Sequence, residues 1–311
     1  MMMQPDVAAS MVETGVSTQF YAWRGHRCAY EVRASEASAG QTPLVLVHPI
    51  GVGLSRRFWD RFCEGWQRSG AQNPIYNLDL LGCGESDLPA IAYPPEIWAE
   101  QLEYFLQTVV KQGAILVVQG ALFPVAIELC QRELGQTLVR GMVLSGPPAW
   151  PVMTLAWPEW RKNLSWSFFR SPLGALFYRY ARRRQFLQSF SAKQLFAASE
   201  GVDEPWLAML HEGSRDMATR YAVFAFLAGF WRKGYQEAIV AIPHPTLVVV
   251  GDTASSISRS GKQETPSDRL SDYLKHLSQG EGLKLDGRNV LPYEQTDTFV
   301  EAIAPFIARL S

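Results

Sequence analysis

The chain has 311 residues, enough to bury one large core or two small ones, and its 47% hydrophobic and 19% charged content excludes a disordered or collagen-like class. A net charge of −1 argues against a generic nucleic-acid binder. No apolar run approaches the ~18–20 residues that span a bilayer. The four cysteines (Cys28, Cys63, Cys83 and Cys130) are far apart and form no C-x-x-C pair. That spacing suggests neither a metal site nor a disulfide framework, but buried thiols in a reducing compartment. No cofactor is expected, and a cytoplasmic location is. Residues 1–18 lack a basic start followed by an apolar block, so they read as a loose tail and not as a signal peptide.

From Phe20 to Arg33 the aromatic and β-branched content predicts two strands around Arg24-Gly25. Pro43–His48 is a short continuous apolar run, as expected of a strand buried on both faces of a parallel sheet. An amphipathic helix follows over about Ser55–Arg68, then a strand over Ile75–Leu81 and a helix over Pro95–Val110. Ile115–Val118 is a further apolar strand, and a helical pattern starts directly after it. Arg140–Ser145 closes this first strand–helix alternation, which implies right-handed βαβ units. From Ala149 to about Ile242 no strand appears, and the stretch reads as a helical insertion. The alternation resumes with a strand at Pro245–Val250, a helix at Ser267–Leu277, a strand at Gly282–Leu285 and a last helix over Tyr293–Leu310. The expected organisation is a tail (1–18), a core (19–148 and 243–311) and a helical cap (149–242).

A strand that turns into a helix with no loop between is the geometry of a nucleophile elbow, whose motif is Gly-x-Ser-x-Gly. Laid on Gln119-Gly-Ala-Leu-Phe123, the motif puts Ala121 in the nucleophile slot. Alanine has no heteroatom with which to attack a carbonyl. Moving the frame offers Gly120, Leu122 or Phe123, none of them nucleophilic. With no serine to hold, the turn is expected to be relaxed.

Several segments carry a resemblance. Leu44-Val-Leu-Val-His48-Pro-Ile-Gly51 resembles the His-Gly oxyanion loop of the α/β-hydrolase family. Asp79-Leu-Leu-Gly-Cys-Gly-Glu-Ser86 resembles its Asp-x-x-Gly-x-Gly-x-Ser turn. Pro245–Asp252 is similar to the strand before the catalytic acid, and Glu294-Gln295 to the pair that follows the catalytic histidine. Trp23-Arg24-Gly25 adds to the match, which covers about residues 19–311. The resemblance implies the α/β-hydrolase fold: a mostly parallel sheet flanked by helices, with a helical cap after the sixth strand. The His48-Pro-Ile-Gly51 loop is in the style of a cyanobacterial or plastid branch. The resemblance also implies three catalytic slots, in the order nucleophile, acid, base. They fall on Ala121, Ala254 and Asn289, so none has its side chain. The oxyanion donors would be the backbone amides of Ile50 and Leu122, which survive loss of the triad. Pocket residues expected beside them are His48, Ser145, Phe123 and His211.

The stretch Trp157–Gln194 carries ten aromatic and eight basic residues against one acid, Glu159. That composition suits a lid over an apolar anionic ligand, or an interfacial membrane segment; a cap whose aromatics pack on the core also accounts for it. The first reading of function is a non-catalytic pseudo-hydrolase that binds a small apolar or acyl ligand, or a protein partner. Two alternatives stay open: an active esterase-like hydrolase or lyase with relocated groups (His48 or His211 with Asp252), and a membrane-surface scaffold. Whether the chain is an enzyme is left undecided by the residues.

Overall fold

The computed structural model describes residues 17–311, so the tail expected over 1–18 lies outside the described residues except for its last two positions. Eight strands form one sheet in the order β1-β2-β4-β3-β5-β6-β7-β8. The strands are β1 (Gln19–Trp23), β2 (His26–Arg33), β3 (Leu44–Val47), β4 (Ile75–Leu78), β5 (Ala114–Gln119), β6 (Val139–Ser145), β7 (Thr246–Gly251) and β8 (Gly280–Leu285). β1 and β2 are an antiparallel hairpin, β2 is antiparallel to β4, and β3 to β8 are parallel.

Period-two alternation sorts the strand residues between two cores. Val45, Val47, Leu116, Val118, Leu144 and Val248 face one layer; Leu44, Leu46, Ile115, Val117, Val143 and Leu247 face the other. The first layer is covered by α2 (Pro95–Phe105), α3 (Phe123–Cys130) and, through Tyr273, α12 (Pro266–His276). The second is covered by α1 (Asp60–Arg68) and α14 (Thr296–Ala308). A short helix, α4 (Glu133–Leu138), leads from α3 into β6. Being covered on both faces is why β3, β5 and β7 are buried along their whole length and read as unbroken apolar runs.

Two expected elements differ. The last helix is broken into a single turn, α13 (Leu291–Glu294), and α14, because Gln295 leaves helical dihedrals (φ −132°, ψ 51°). β4 stops at Leu78, three residues early: the Asp79 N–H still bonds the Ala29 carbonyl of β2 (2.9 Å), but the Leu80 N–H turns to His48 in the loop after β3.

That loop is fixed by one buried cation. Arg56 is fully buried, and its Nε donates to Glu31 Oε1 of β2 (3.0 Å). Its Nη2 donates to Glu85 Oε1 (2.7 Å) and to Thr18 Oγ1 (2.8 Å), and its Nη1 pairs with the buried Asp79 carboxylate. Asp79 also accepts the backbone N–H of Arg56 (2.8 Å) and of Glu85 (2.9 Å). Ser86 closes the turn by donating to the Asp79 carbonyl (2.9 Å) and accepting from the Ala29 N–H (2.9 Å). His48 adds a second tie. Its Nε2 accepts from the Leu80 N–H (3.2 Å), and its Nδ1 donates to the Pro49 carbonyl (2.8 Å). Those two partners require the neutral tautomer.

Between β6 and β7 the chain is helical: α5 (Trp150–Thr154), α6 (Glu159–Arg170), α7 (Pro172–Ala181), α8 (Arg184–Gln194), α9 (Glu204–Gly213), α10 (Arg220–Leu227) and α11 (Gln236–Val240) are its main helices. Prolines open α7 and α9 at positions where a missing N–H costs nothing. The Asp203 side chain accepts from the Trp206 N–H (2.9 Å) and so caps α9.

Both loop ties can be tested by substitution. Arg56→Met leaves the Asp79 and Glu31 carboxylates buried without a counter-charge, and lowers unfolding stability by about 3–5 kcal/mol in urea melts. Burial pushes the His48 imidazole below its ordinary value, the nearby Asp79 opposing only in part. The folded state therefore binds fewer protons than the unfolded chain as pH falls through about 6.5, so stability is lost toward acid. The urea midpoint of the wild type falls between about pH 7.5 and 5.5, and that of His48→Gln falls less. Equal falls would mean that His48 does not carry the acid sensitivity.

Candidate functional site

Between β4 on one side and β5 on the other, β3 sits where the chain reverses its direction of winding. Ligands bind at such a crevice, beyond the carboxyl ends of the strands. A cavity of about 350 Å³ opens there. Its floor is formed by Pro49 and Ile50 after β3, Gln119, Gly120 and Ala121 after β5, and Gly146 after β6. Its roof is formed by Trp157, Phe226, Leu227 and Trp231 from the helical segment. Another depression, of about 570 Å³, lies on the outside of α12 and β8 between Leu270, Lys275 and Lys284. It shares no lining residue with the cavity at the strand ends.

The turn after β5 is sharp, as the sequence implies, but its pivot differs by one residue. The left-handed backbone falls on Gly120 (φ 62°), and Ala121 is not among the positive-φ positions. The elbow is defined by that backbone, so the nucleophile position is Gly120 and not Ala121. Glycine adopts this conformation at no steric cost, so the turn is kept without strain. A side chain at Gly120 would meet open space, with the Gly146 carbonyl at 4.0 Å its nearest neighbour. The amide that follows the pivot belongs to Ala121, which lines the cavity with Ile50. Leu122, the donor read from the sequence, is buried in the core and does not line it. Pro124 is accommodated in the first turn of α3.

The resemblance puts the base slot on Asn289. Asn289 lines the cavity and is held on four sides. Its Nδ2 donates to the Gln194 carbonyl (2.7 Å) at the end of α8 and to the Ser255 carbonyl (3.0 Å). Its backbone N–H donates to the Leu195 carbonyl (3.0 Å), and its carbonyl accepts from Gln119 Nε2 (2.7 Å). Both N–H donors of its side-chain amide are thus taken, by the end of α8 and by the loop after β7. Ala254 is buried just behind, next to Ser255, which does line the cavity.

The other sequence-predicted residues do not come together here. His48 is buried under the loop with both ring nitrogens engaged. His211 is exposed on α9. Phe123 is buried against Tyr273, ring centroids 5.9 Å apart. Ser145 is fully buried, and its hydroxyl has no partner. Asp252 accepts from the Gly287 N–H (3.1 Å) and so ties β7 to the turn after β8. None of these five lines the cavity. Among the described residues no cluster of three or more His, Cys, Asp or Glu side chains could hold a metal ion, and the four cysteines are free and buried.

Sequence reasoning missed two residues that do line it, Arg232 and Arg269. Arg269 had a signal: with Tyr273 and Leu277 it falls at four-residue spacing on the buried stripe of α12. Arg232 directly follows an aromatic stretch, and nothing in its local pattern marks it as buried.

The comparisons with known proteins agree with this architecture. A serine hydrolase involved in carbazole degradation has 18% identity, a TM-score of 0.71, and coverage of 94% of this chain and 99% of that chain. A thermophilic esterase from Thermogutta terrifontis matches with 17% identity, a TM-score of 0.70, and 94% and 99% coverage. A point mutant of the haloalkane dehalogenase DatA from Agrobacterium tumefaciens matches with 14% identity, a TM-score of 0.70, and 95% and 98% coverage. No curated protein matches the sequence. At these identities the solved structures speak for the fold alone. The model of the alpha/beta hydrolase family matches residues 44–302, and on that match the chain belongs to the alpha/beta hydrolase family.

Proposed function

We propose that the protein is a non-catalytic member of its family that holds a small apolar or acyl ligand in the cavity at the elbow. The observation that carries this reading is the state of the three catalytic positions. Gly120 and Ala254 have no reactive side chain, and the amide of Asn289 is engaged by two backbone carbonyls. An acyl-enzyme needs a nucleophile, and the nucleophile needs a base within hydrogen-bond reach. The similar structures carry the names serine hydrolase, esterase and dehalogenase, so an active hydrolase is the rival reading. Against it stand the engagement of both His48 nitrogens and the exposure of His211, the two histidines it would recruit. The cavity wall is mainly apolar, with Ile50, Leu54, Val152, Leu195 and Phe226, which suits a hydrocarbon body.

A second reading rests on the outer face of α6 and α7. Trp160 (68% exposed), Leu164 and Phe168 follow one another at four-residue spacing, and Leu173 (62%), Leu176 and Tyr180 continue the apolar surface. Arg161, Arg170, Arg179 and Arg183 are exposed around it. Apolar residues ringed by cations fit an anionic bilayer surface. Among the described residues no helix is long and apolar enough to cross a membrane, so the contact would be peripheral.

Turnover tests the first reading. The wild type hydrolyses neither p-nitrophenyl esters nor acyl thioesters above background, and Gly120→Ser alone adds nothing. Gly120→Ser/Ala254→Asp/Asn289→His raises ester hydrolysis about 100-fold over the single variant, far short of the ~10⁶-fold of an evolved triad. Robust wild-type turnover would overturn the reading. For the second, the protein co-sediments with phosphatidylserine vesicles at low salt, and Leu173→Gln/Leu176→Gln lowers the bound fraction about tenfold. Equal binding to neutral vesicles, or no effect of the double variant, would sink it.

A further inference from the structure

The cavity has a cationic wall with no acidic group to match it. Arg232 is 5% exposed and lines the cavity. Its guanidinium lies over the rings of Trp231 (4.8 Å) and Trp157 (5.0 Å). Its Nη2 donates to Ser258 Oγ (2.8 Å), and its Nη1 makes a long contact to the Val152 carbonyl (3.4 Å). Among the described residues no carboxylate pairs with it, although buried charges in proteins are as a rule paired. Burial, with repulsion from Arg161, lowers its pKa to about 10, so it still carries its charge at neutral pH. Aromatic faces and one hydroxyl compensate a guanidinium only in part.

Arg269, which also lines the cavity, carries a second and independent sign. Its Nε pairs with Glu264 (2.7 Å), and its Nη1 donates to the Pro147 carbonyl (3.3 Å). Its Nη2 is buried and has no partner. Glu264 pairs with Arg269 and accepts the Trp150 N–H (2.6 Å), and makes no ion pair with Arg232. The backbone is shaped to hold the Arg232 side of this arrangement. Gly229 is left-handed (φ 84°), and a Cβ there would come within 2.4 Å of the Trp157 ring that Arg232 stacks on.

We infer that the occupant of the cavity is an apolar carboxylic acid in its ionised form, its carboxylate held by Arg232 and the free Nη2 of Arg269, its body against the apolar wall. This inference rests on the reading of the cavity as a binding site, and narrows its ligand from apolar or acyl compounds to anionic ones. A carboxylate is an acceptor-only group that takes charge-assisted hydrogen bonds from guanidinium donors, which is what both arginines still have to give.

Calorimetry with octanoate, 1-octanol and inorganic phosphate at neutral pH tests it. Octanoate is expected to bind at least about tenfold more tightly than octanol or phosphate, and Arg232→Gln to remove most of that preference by weakening octanoate binding. Arg232→Lys keeps a charge but not the planar fork, and retains part of the preference. Arg232→Gln is also expected to melt no lower than the wild type, because it removes an uncompensated buried charge; a role confined to holding Ser258 and Val152 would lower Tm instead. Equal binding of octanoate and octanol overturns the anionic assignment and leaves the cavity reading standing. Phosphate bound as tightly as octanoate overturns the apolar acid. No binding of octanoate or octanol by the folded wild type overturns both the inference and the reading beneath it.

Discussion

The guanidinium of Arg56 is the constraint on which the cavity floor depends. Its partners come from four separate places: Thr18 before the first strand, Glu31 in β2, Asp79 after β4, and Glu85 in the turn beyond. Asp79 in turn holds the backbone amides of Arg56 and Glu85, so the loop after β3 and the turn after β4 cannot move independently. His48 repeats the tie one residue away, through the Leu80 amide. Ile50 lies in the loop that these contacts hold, and its side chain packs on the first core layer. A buried ion pair of this kind adds little net stability over an apolar packing, but removing one member of it is costly. Its effect is to fix geometry where two loops would otherwise be free.

The polar residues at the other strand ends are used in the same way. Asp252 and Thr253 bond the turn after β8, Gln119 bonds the Asn289 carbonyl, and Asn289 bonds the end of α8 and the loop after β7. A catalytic arrangement needs such side chains to converge on one point in the cavity, with donors and acceptors left over for substrate. Here they satisfy backbone groups. Asparagine at 289 suits that task, because its NH₂ group can serve two carbonyls at once. What faces the cavity is therefore apolar surface, the backbone of the elbow, the engaged side chains of Gln119 and Asn289, three serines after β7, and two arginines from the helical segment and from α12.

How much of this the sequence carries depends on how local the cause is. β3, β5 and β7 are legible because burial on both faces leaves an unbroken apolar run. The turn at Asp79–Ser86 is legible as a pattern, but Arg56 is not: it lies in what reads as an amphipathic helix start, and its partners are up to 38 residues distant. The elbow is legible to within one residue. Ala121 resembles a serine that has lost its oxygen, yet the deciding quantity is the sign of φ, and only Gly120 adopts that backbone freely. Read by backbone need and not by side-chain likeness, the sequence already contains the answer. Arg232 is the opposite case. Its burial is created by Trp157, 75 positions earlier, and by Ser258 in a later loop, so no window of local sequence reveals it.

Trp157 links the two surfaces of the helical segment. Arg161, exposed on α6, stacks on the Trp157 ring at 3.8 Å, and Arg232 lies over the same ring at 5.0 Å within the cavity. The like charge of Arg161 is one of the causes that lower the Arg232 pKa. An anionic surface that pairs with Arg161 would relieve this repulsion and reduce the positive potential felt inside the cavity. An anion in the cavity and an anionic surface at Arg161 would therefore be coupled through the repulsion between these two guanidinium groups. The sign of the coupling is fixed by charge: docking weakens the hold on the anion, and by reciprocity a bound anion weakens docking.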